Sequence, residues 1–396
     1  MTISLTSELD LLIAACKSDA DFAATHHRLQ GKIDWTHFGL LARAHKLGAL
    51  AATRLKRANL QDVPEATSLM LEAYRREIVT RNLAQEVGTV KVINLLATVG
   101  IRALAFKGVA AAHTLHGDVR DTRVSSDIDI LVSADDFHAA EAAFKSANYR
   151  KHWPEFEVTP RAQPMLMSLA HAFTWISPDL GLAIELHHRL SHNPYWFDVR
   201  FDRLWEASEE VQLQGGNIRT LGPADMAAYM CCHAVDHGYF VLKWVDDAAR
   251  AVSRADRITP YPKWLPTELK AVAAVDLAQQ LIRALYVGRR DEAGSTQPGD
   301  KLSSRTVRAI ARIENADFGD ENRHMTDVPR ELIEAVRRTG LGCSWKAAWH
   351  DILRVLADPR DIRAMGLGLS WQPLYAAFGL PFAAWRYLTR SRGPIA

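Results

Sequence analysis

The sequence predicts an α+β fold, a small mixed-sheet core flanked by N-terminal and C-terminal helical regions. Three observations carry this. A helical apolar period runs from residue 1 to about residue 95, short apolar runs punctuated by glycine turns follow, and helical patterning returns past residue 215. The 396-residue chain therefore divides into an N-terminal helical region 1–96, an α/β core 97–215 and a helical region 216–287. A linker 288–304 and a C-terminal helical or irregular region 305–396 with an apolar tail complete it.

The opening "MTISLTSELDLLIAACKSDADF" lacks a basic leader and sets acids around its apolar residues, so a capped amphipathic helix is expected rather than a signal peptide. In "DWTHFGLLARAHKLGALAATRLKRA", Leu40, Ala44, Leu47, Ala51 and Leu55 fall along one helical face. The period continues through "ATSLMLEAYRREIVTRNLAQEVGTVKVINLLATVG" and stops at Gly100, a helix C-cap. "IRALAF", followed by Lys107-Gly108, predicts a strand ending in a tight turn, and "VAAAHTLHG" a helix closed by Gly117. "SDIDILV" reads as the next strand and "SADDFHAAEAAFKSANY" as a helix with Ser133 at its N-cap. "GLAIELHHRL" supplies a third strand, and Pro223 opens the next helix with Asp225 in its first turn.

"GRRDEAGSTQPGDKLSS" has the composition of an exposed loop. From Ala364 to Trp385 no charged residue occurs, but Gly366, Gly368, Pro373, Gly379 and Pro381 interrupt the run. A spanning helix takes about 20 continuous apolar residues, so a tail packed on the protein is expected, with weak membrane-surface contact through residues 364–390 as the alternative.

Lys plus Arg number 48 against 46 Asp plus Glu, so no global field draws the chain to nucleic acid, and sequence-specific DNA binding is not expected. Cys16, Cys231, Cys232 and Cys343 form no CxxC pair, which fits free thiols and a cytoplasmic location, peripheral to a membrane if the tail binds one. GxSxG, Walker and GxGxxG motifs are missing from the sequence.

The chemistry concentrates in "RVSSDIDILV". Alternate strand residues point the same way, with Cα atoms about 6.7 Å apart at ~3.3 Å rise per residue. Asp127 and Asp129 thus share one face while Ile128, Ile130 and Val132 take the other. Desolvated carboxylates need a counter-charge, and paired acids at this span suit Mg²⁺, or Mn²⁺ in its place. In the third strand Glu185 and His187 share a face in the same way, making Glu185 the candidate third carboxylate. Lys107 and Gly108 at a strand end suit phosphate binding, Ser126 offers a hydroxyl, and Arg123 could clamp a phosphate bidentately. The bland alternatives are a Glu185–Arg189 pair, a structural His187 and a solvated Lys107. His188 with His192 and His233 with His237 stand at i, i+4 without a third zinc ligand at motif spacing, and are read as structural. Asp247 is read as a helix-packing or N-cap acid, and Cys231-Cys232 as buried packing.

Lys107-Gly108, Arg123 four residues ahead of "DIDILV", and "IELH" together resemble the uncharacterised nucleotidyltransferase family of the DNA polymerase β-like superfamily. "DWTHFGLLARAHKLG" and "HAVDHGYFVLKWVDDAARAV" look like that family's flanking helical segments, so the resemblance covers most of residues 30 to 250. The superfamily's glycine turn usually reads Gly-Ser, whereas Val109 follows Gly108 here. The resemblance implies Mg²⁺-dependent transfer of a nucleoside monophosphate from an NTP, with Asp127, Asp129 and Glu185 as metal-binding catalytic residues. Lys107, Gly108, Arg123, Ser126 and His187 would bind nucleotide, and the acceptor would be a hydroxyl on a sugar, a peptide, a protein or an RNA end. The alternative is a non-catalytic nucleotide-binding or partner-binding protein on the same fold.

Overall fold

The computed structural model describes residues 5–117, 123–239, 241–287, 303–314 and 344–389, with the side chains at 380 and 382–389 excepted. Its architecture is α+β, a small mixed sheet among flanking helices. The opening segment forms two short helices rather than one, α1 (Ser7–Lys17) and α2 (Asp19–Leu29). Thr6 caps the first by accepting from the Leu9 amide and Ser18 caps the second by accepting from Asp21.

The single face expected from Leu40 to Leu55 is divided between α3 (Trp35–Ala44) and α4 (Gly48–Ala58). Between them Lys46 takes a left-handed φ of 57°, which resets the helical phase. Leu47, Ala51 and Leu55 are consequently buried, while Leu40 stays 40% exposed.

Helix α5 (Glu65–Thr98) ends as its sequence predicts, with Gly100 at φ 77°. It lies close against the sheet at Gly88, where a Cβ would stand 2.8 Å from side-chain atoms of both Ile128 and Leu182. Its buried Asn82 and Gln85 amides donate to the carbonyls of Arg123 and Ser125, pinning the segment that enters the second strand.

The sheet contains β1 (Ala103–Ala105), β2 (Asp127–Val132), β3 (Arg150–Trp153), β4 (Ala172–Ile176) and β5 (Ala183–His187), in the order β1-β2-β5-β4-β3. Only the β2–β5 pair is parallel. Ile128, Ile130, Val132, Ile184 and Leu186 join a core with Phe137 and Phe144 of α7 (Phe137–Ser146) and Met165 and Leu166 of α8 (Gln163–Leu169). Ser133 does not cap α7 directly. Its hydroxyl accepts from the Asp136 amide and closes a turn before the helix begins.

After α9 (Phe201–Ala207) comes a hairpin that the sequence reading did not foresee, β6 (Glu209–Leu213) with β7 (Gly216–Thr220). It straddles the expected limit at residue 215. Helix α10 (Pro223–Asp236) starts at Pro223 as expected and buries Cys231 and Cys232, neither of them in a disulfide. With α11 (Leu242–Ile258) and α12 (Val272–Ile282) it packs on α1–α4 in a second core, which also receives Leu104, Phe106 and Leu131 from the sheet region.

Residues 288–302 of the expected linker lie outside the described residues, and Ser304 already opens α13 (Ser304–Glu314). Helices α14 (Trp345–Leu356), α15 (Pro359–Met365) and α16 (Gln372–Thr389) follow. In the tail Tyr375 is buried, and its hydroxyl donates to the Leu367 carbonyl and accepts from the Leu367 amide. Trp371 and Phe378 remain exposed. Among the described residues no helix is long and apolar enough to cross a membrane.

Candidate active site

The parallel register of β2 and β5 places Asp129 opposite Glu185, with Asp127 opposite Ala183 and Leu131 opposite His187. Because side chains two apart share a face, Asp127, Asp129, Glu185 and His187 collect on one side of the sheet. The apolar residues between them feed the core behind it. Asp129 is 2% exposed and His187 is fully buried, whereas Asp127 and Glu185 are half-buried.

His187 Nε2 stands 3.1 Å from Asp129 Oδ1 and 3.2 Å from Glu185 Oε2, holding the two acids at a fixed separation. Lys107, at the end of β1, reaches the same place. Its Nζ donates to Asp129 Oδ1 at 2.7 Å and lies 4.0 Å from Glu185 Oε2.

The electrostatics follow from these contacts. Burial opposes ionisation of Asp129, but Lys107 and His187 outweigh it and hold that carboxyl far below the usual carboxylate range. Burial would likewise depress the Lys107 ammonium, yet Asp129, with smaller contributions from Tyr229, Glu185 and Asp127, raises it well above its ordinary value. His187 is pushed up by its hydrogen bonds to the two acids despite burial. Asp127 goes the other way. Desolvation first, then the negative charges of Asp129 and Glu185, lift its carboxyl to about 7.

A hard divalent cation fits this donor set. Asp129 Oδ2 is buried and accepts no hydrogen bond among the described residues, which is costly unless another ligand takes it. One ligand atom each from Asp129, Glu185 and His187 lies within 4.8 Å of the others, the group among the described residues that could hold a metal ion. The expected trio was Asp127, Asp129 and Glu185. His187 stands in that group in place of Asp127, which precedes Asp129 by two residues on the same face.

The turn beneath the acids is built around Gly108, at φ 50°, where a Cβ would meet the Asp127 carbonyl at 3.3 Å and Ser125 Oγ at 3.4 Å. It opens α6 (Gly108–Ala111), which a wider π-helical turn, Ala112–His116, continues. Ser125 is buried and donates to the Asp127 carbonyl, leaving the neighbouring Ser126 exposed beside the acids.

One expectation needs correction. Arg123 is not poised as a phosphate clamp. It is 4% exposed, its Nε pairs with Asp247 at 3.0 Å, and its Nη1 donates to the Gly108 carbonyl at 3.2 Å. Its charge is spent on fastening the glycine turn to α11.

Of the two readings of Asp247, helix packing holds and the N-cap does not. Its buried carboxylate in α11 also meets His116 Nε2 at 3.0 Å and Lys243 Nζ at 3.1 Å. Burial opposes its ionisation, but Arg123, Lys243 and His116 keep it well below the carboxylate range. Lys243, desolvated and beside Arg123, is lowered to about 8.

The bland pairing of Glu185 with Arg189 does not form. Arg189 instead donates to the backbone carbonyls of Met167, Ser168, Ser191 and His192. His188 Nε2 bonds the Ala170 carbonyl and His192 Nδ1 pairs with Asp236, while His237 stacks on Trp244, so neither histidine pair assembles a zinc site.

Sequence reasoning missed Tyr229 of α10. It is buried beside Lys107, whose Nζ stands 6.0 Å from its ring centroid. Tyr229 lies in a run of residues that reads simply as core, and its only polar signal is the hydroxyl.

Comparison with known proteins adds one finding. The model of a family described as "Uncharacterised nucleotidyltransferase" matches residues 31–286, well over half of the chain. No curated protein and no solved structure matches.

Proposed function

The chain belongs to the uncharacterised nucleotidyltransferase family, and from that premise we propose that it transfers a nucleoside monophosphate from an NTP to an acceptor hydroxyl in a Mg²⁺-dependent reaction, with release of pyrophosphate. The observation that carries this reading is the buried, unbonded Oδ2 of Asp129 amid converging acids and a histidine. Such a cluster is unfavourable without a cation and suited to one.

In this reading Asp127, Asp129 and Glu185 hold the cation, and Mn²⁺ can replace Mg²⁺. The bound metal supplies charge neutralisation at the triphosphate, the dominant need in phosphoryl and nucleotidyl transfer. His187, on Nε2, keeps Asp129 and Glu185 in place and denies them other rotamers. Asp127 gives up the proton that its elevated pKa retains near neutrality. Ser126, exposed next to Asp127, offers its hydroxyl to a phosphate oxygen, and Gly108 leaves the turn open where a side chain would crowd the Asp127 carbonyl. Arg123 and Asp247 act beneath the site by fixing that turn.

The acceptor is a hydroxyl on a sugar, a peptide, a protein or an RNA end, and the test identifies it. Purified protein is incubated with α-labelled NTPs, Mg²⁺ and cell extract, and labelled species are resolved. The expected result is a labelled acceptor whose formation falls at least about 100-fold in D129A and E185A. Label that persists undiminished in those variants, or no label with any NTP, would overturn the proposal.

A further inference from the structure

The position of Lys107 carries the reading of the site a step further. Its Nζ lies 2.7 Å from Asp129 Oδ1 and 4.0 Å from Glu185 Oε2, inside the cluster that is able to take a cation. The side chain is only 14% exposed, so water screens it little. A phosphate-binding lysine would be expected to project from the site, whereas this one is turned inward onto the metal-binding acid.

We propose that Lys107 is the internal counter-ion of the metal-free site, and that it competes with the divalent cation for Asp129 and is released towards the triphosphate when the cation binds. This rests on the metal-dependent reading of the site.

The physical argument has two sides. Without a cation, Asp129 and Glu185 repel one another in a desolvated setting, and an ammonium held between them relieves that repulsion. With a divalent ion on Asp129, the ammonium would stand against two positive charges a few ångströms away, so it must withdraw or weaken the ion's binding. A second resting place is at hand. The Phe106 and Tyr229 rings lie 5.5 and 6.0 Å from Nζ, close enough for the ammonium to settle against their faces. A lysine retracted there remains within the site and is free to meet a negatively charged triphosphate. Metal and nucleotide then favour each other's binding, because each makes the lysine's new position better.

The test is Mn²⁺ binding to the full chain without nucleotide, read by electron paramagnetic resonance of free Mn²⁺, for the parent, K107M and K107Q. Removing the competitor should tighten Mn²⁺ binding by about tenfold or more in both variants. K107Q keeps a hydrogen-bond donor for Asp129 and guards against misfolding of K107M, and circular dichroism checks each fold. The affinity of the Mn²⁺-loaded protein for a nonhydrolysable NTP should fall in the same variants. If folded K107M or K107Q binds Mn²⁺ no more tightly than the parent, the competition is refuted while the nucleotidyltransferase reading stands. If neither parent nor variants bind Mn²⁺ at all, the metal-dependent reading itself fails, and this inference with it.

Discussion

Substituting Asp127 by asparagine should stabilise the metal-free protein at alkaline pH. The native Asp127 carboxyl titrates at about 7, against an ordinary value of 3.8. Across that window the folded chain keeps a proton that the unfolded chain has released. Stability therefore falls as pH rises from about 4 to 7 and stays reduced above it. Three pKa units correspond to roughly 4 kcal/mol, a ceiling because solvent reaches this half-buried carboxylate. An advantage of about 1–3 kcal/mol for D127N at pH 8 is the discounted expectation. Most of it should be gone near pH 4, where the folded carboxyl is protonated and the unfolded one, with its ordinary value of 3.8, is about half so. Denaturant melts in chelator at pH 4 and pH 8 measure both values.

Adding Mn²⁺ at pH 8 should reverse the order. At 100 times its dissociation constant a ligand contributes about 2.7 kcal/mol to the state that binds it, and the parent retains the carboxylate that the variant lacks. A D127N protein no more stable than the parent at pH 8 in chelator would refute the argument that Asp129, Glu185 and desolvation strain this position.

Three further outcomes are expected. D247N strips Arg123, Lys243 and His116 of their shared carboxylate and should cost about 3–5 kcal/mol in denaturant melts. R123M leaves Asp247 with Lys243 and His116 and should cost less, with nucleotidyl transfer reduced in both even where folding is rescued by low temperature. G108A forces a Cβ onto a residue at φ 50° and against the Asp127 carbonyl; about 1–2 kcal/mol of stability and most of the transfer activity should be lost, as melts and labelled-NTP assays would show. E185Q keeps the shape of the acid but not its charge, and should weaken Mn²⁺ binding in the resonance titration while the circular dichroism spectrum stays unchanged.

The strand residues of the site were legible because a period of two is a local property. Asp127 with Asp129, and Glu185 with His187, could be assigned to common faces without knowing which strands were neighbours. That β2 and β5 run side by side and parallel, with Asp129 facing Glu185, depends on packing that no local pattern encodes.

Arg123 shows the limit more sharply. An arginine four residues before an acidic strand suggests a phosphate ligand, but its partner Asp247 lies 124 residues further along the chain. The one available signal was "WVDDAARAV", where Asp247 sits among residues that a helix would bury. The hairpin β6–β7 has a local signal in the sequence. Val211 and Leu213 alternate with polar residues up to the tight Gln214-Gly215 turn, a hairpin pattern that runs directly into the approach to the next helix. The helix break at Lys46 had no such marker, since a lysine at positive φ is rare and is imposed by the packing of α3 and α4.

The Arg123–Asp247 bond also bears on how this sheet can be inherited or transplanted. Cutting the chain after β7 would strip Arg123 of its carboxylate, orphan His116, and leave a bare cation under the glycine turn. The sheet is thus no portable cassette. Any recombination that carries it into another protein must bring α11 along, or must reinvent an acid at the same spot.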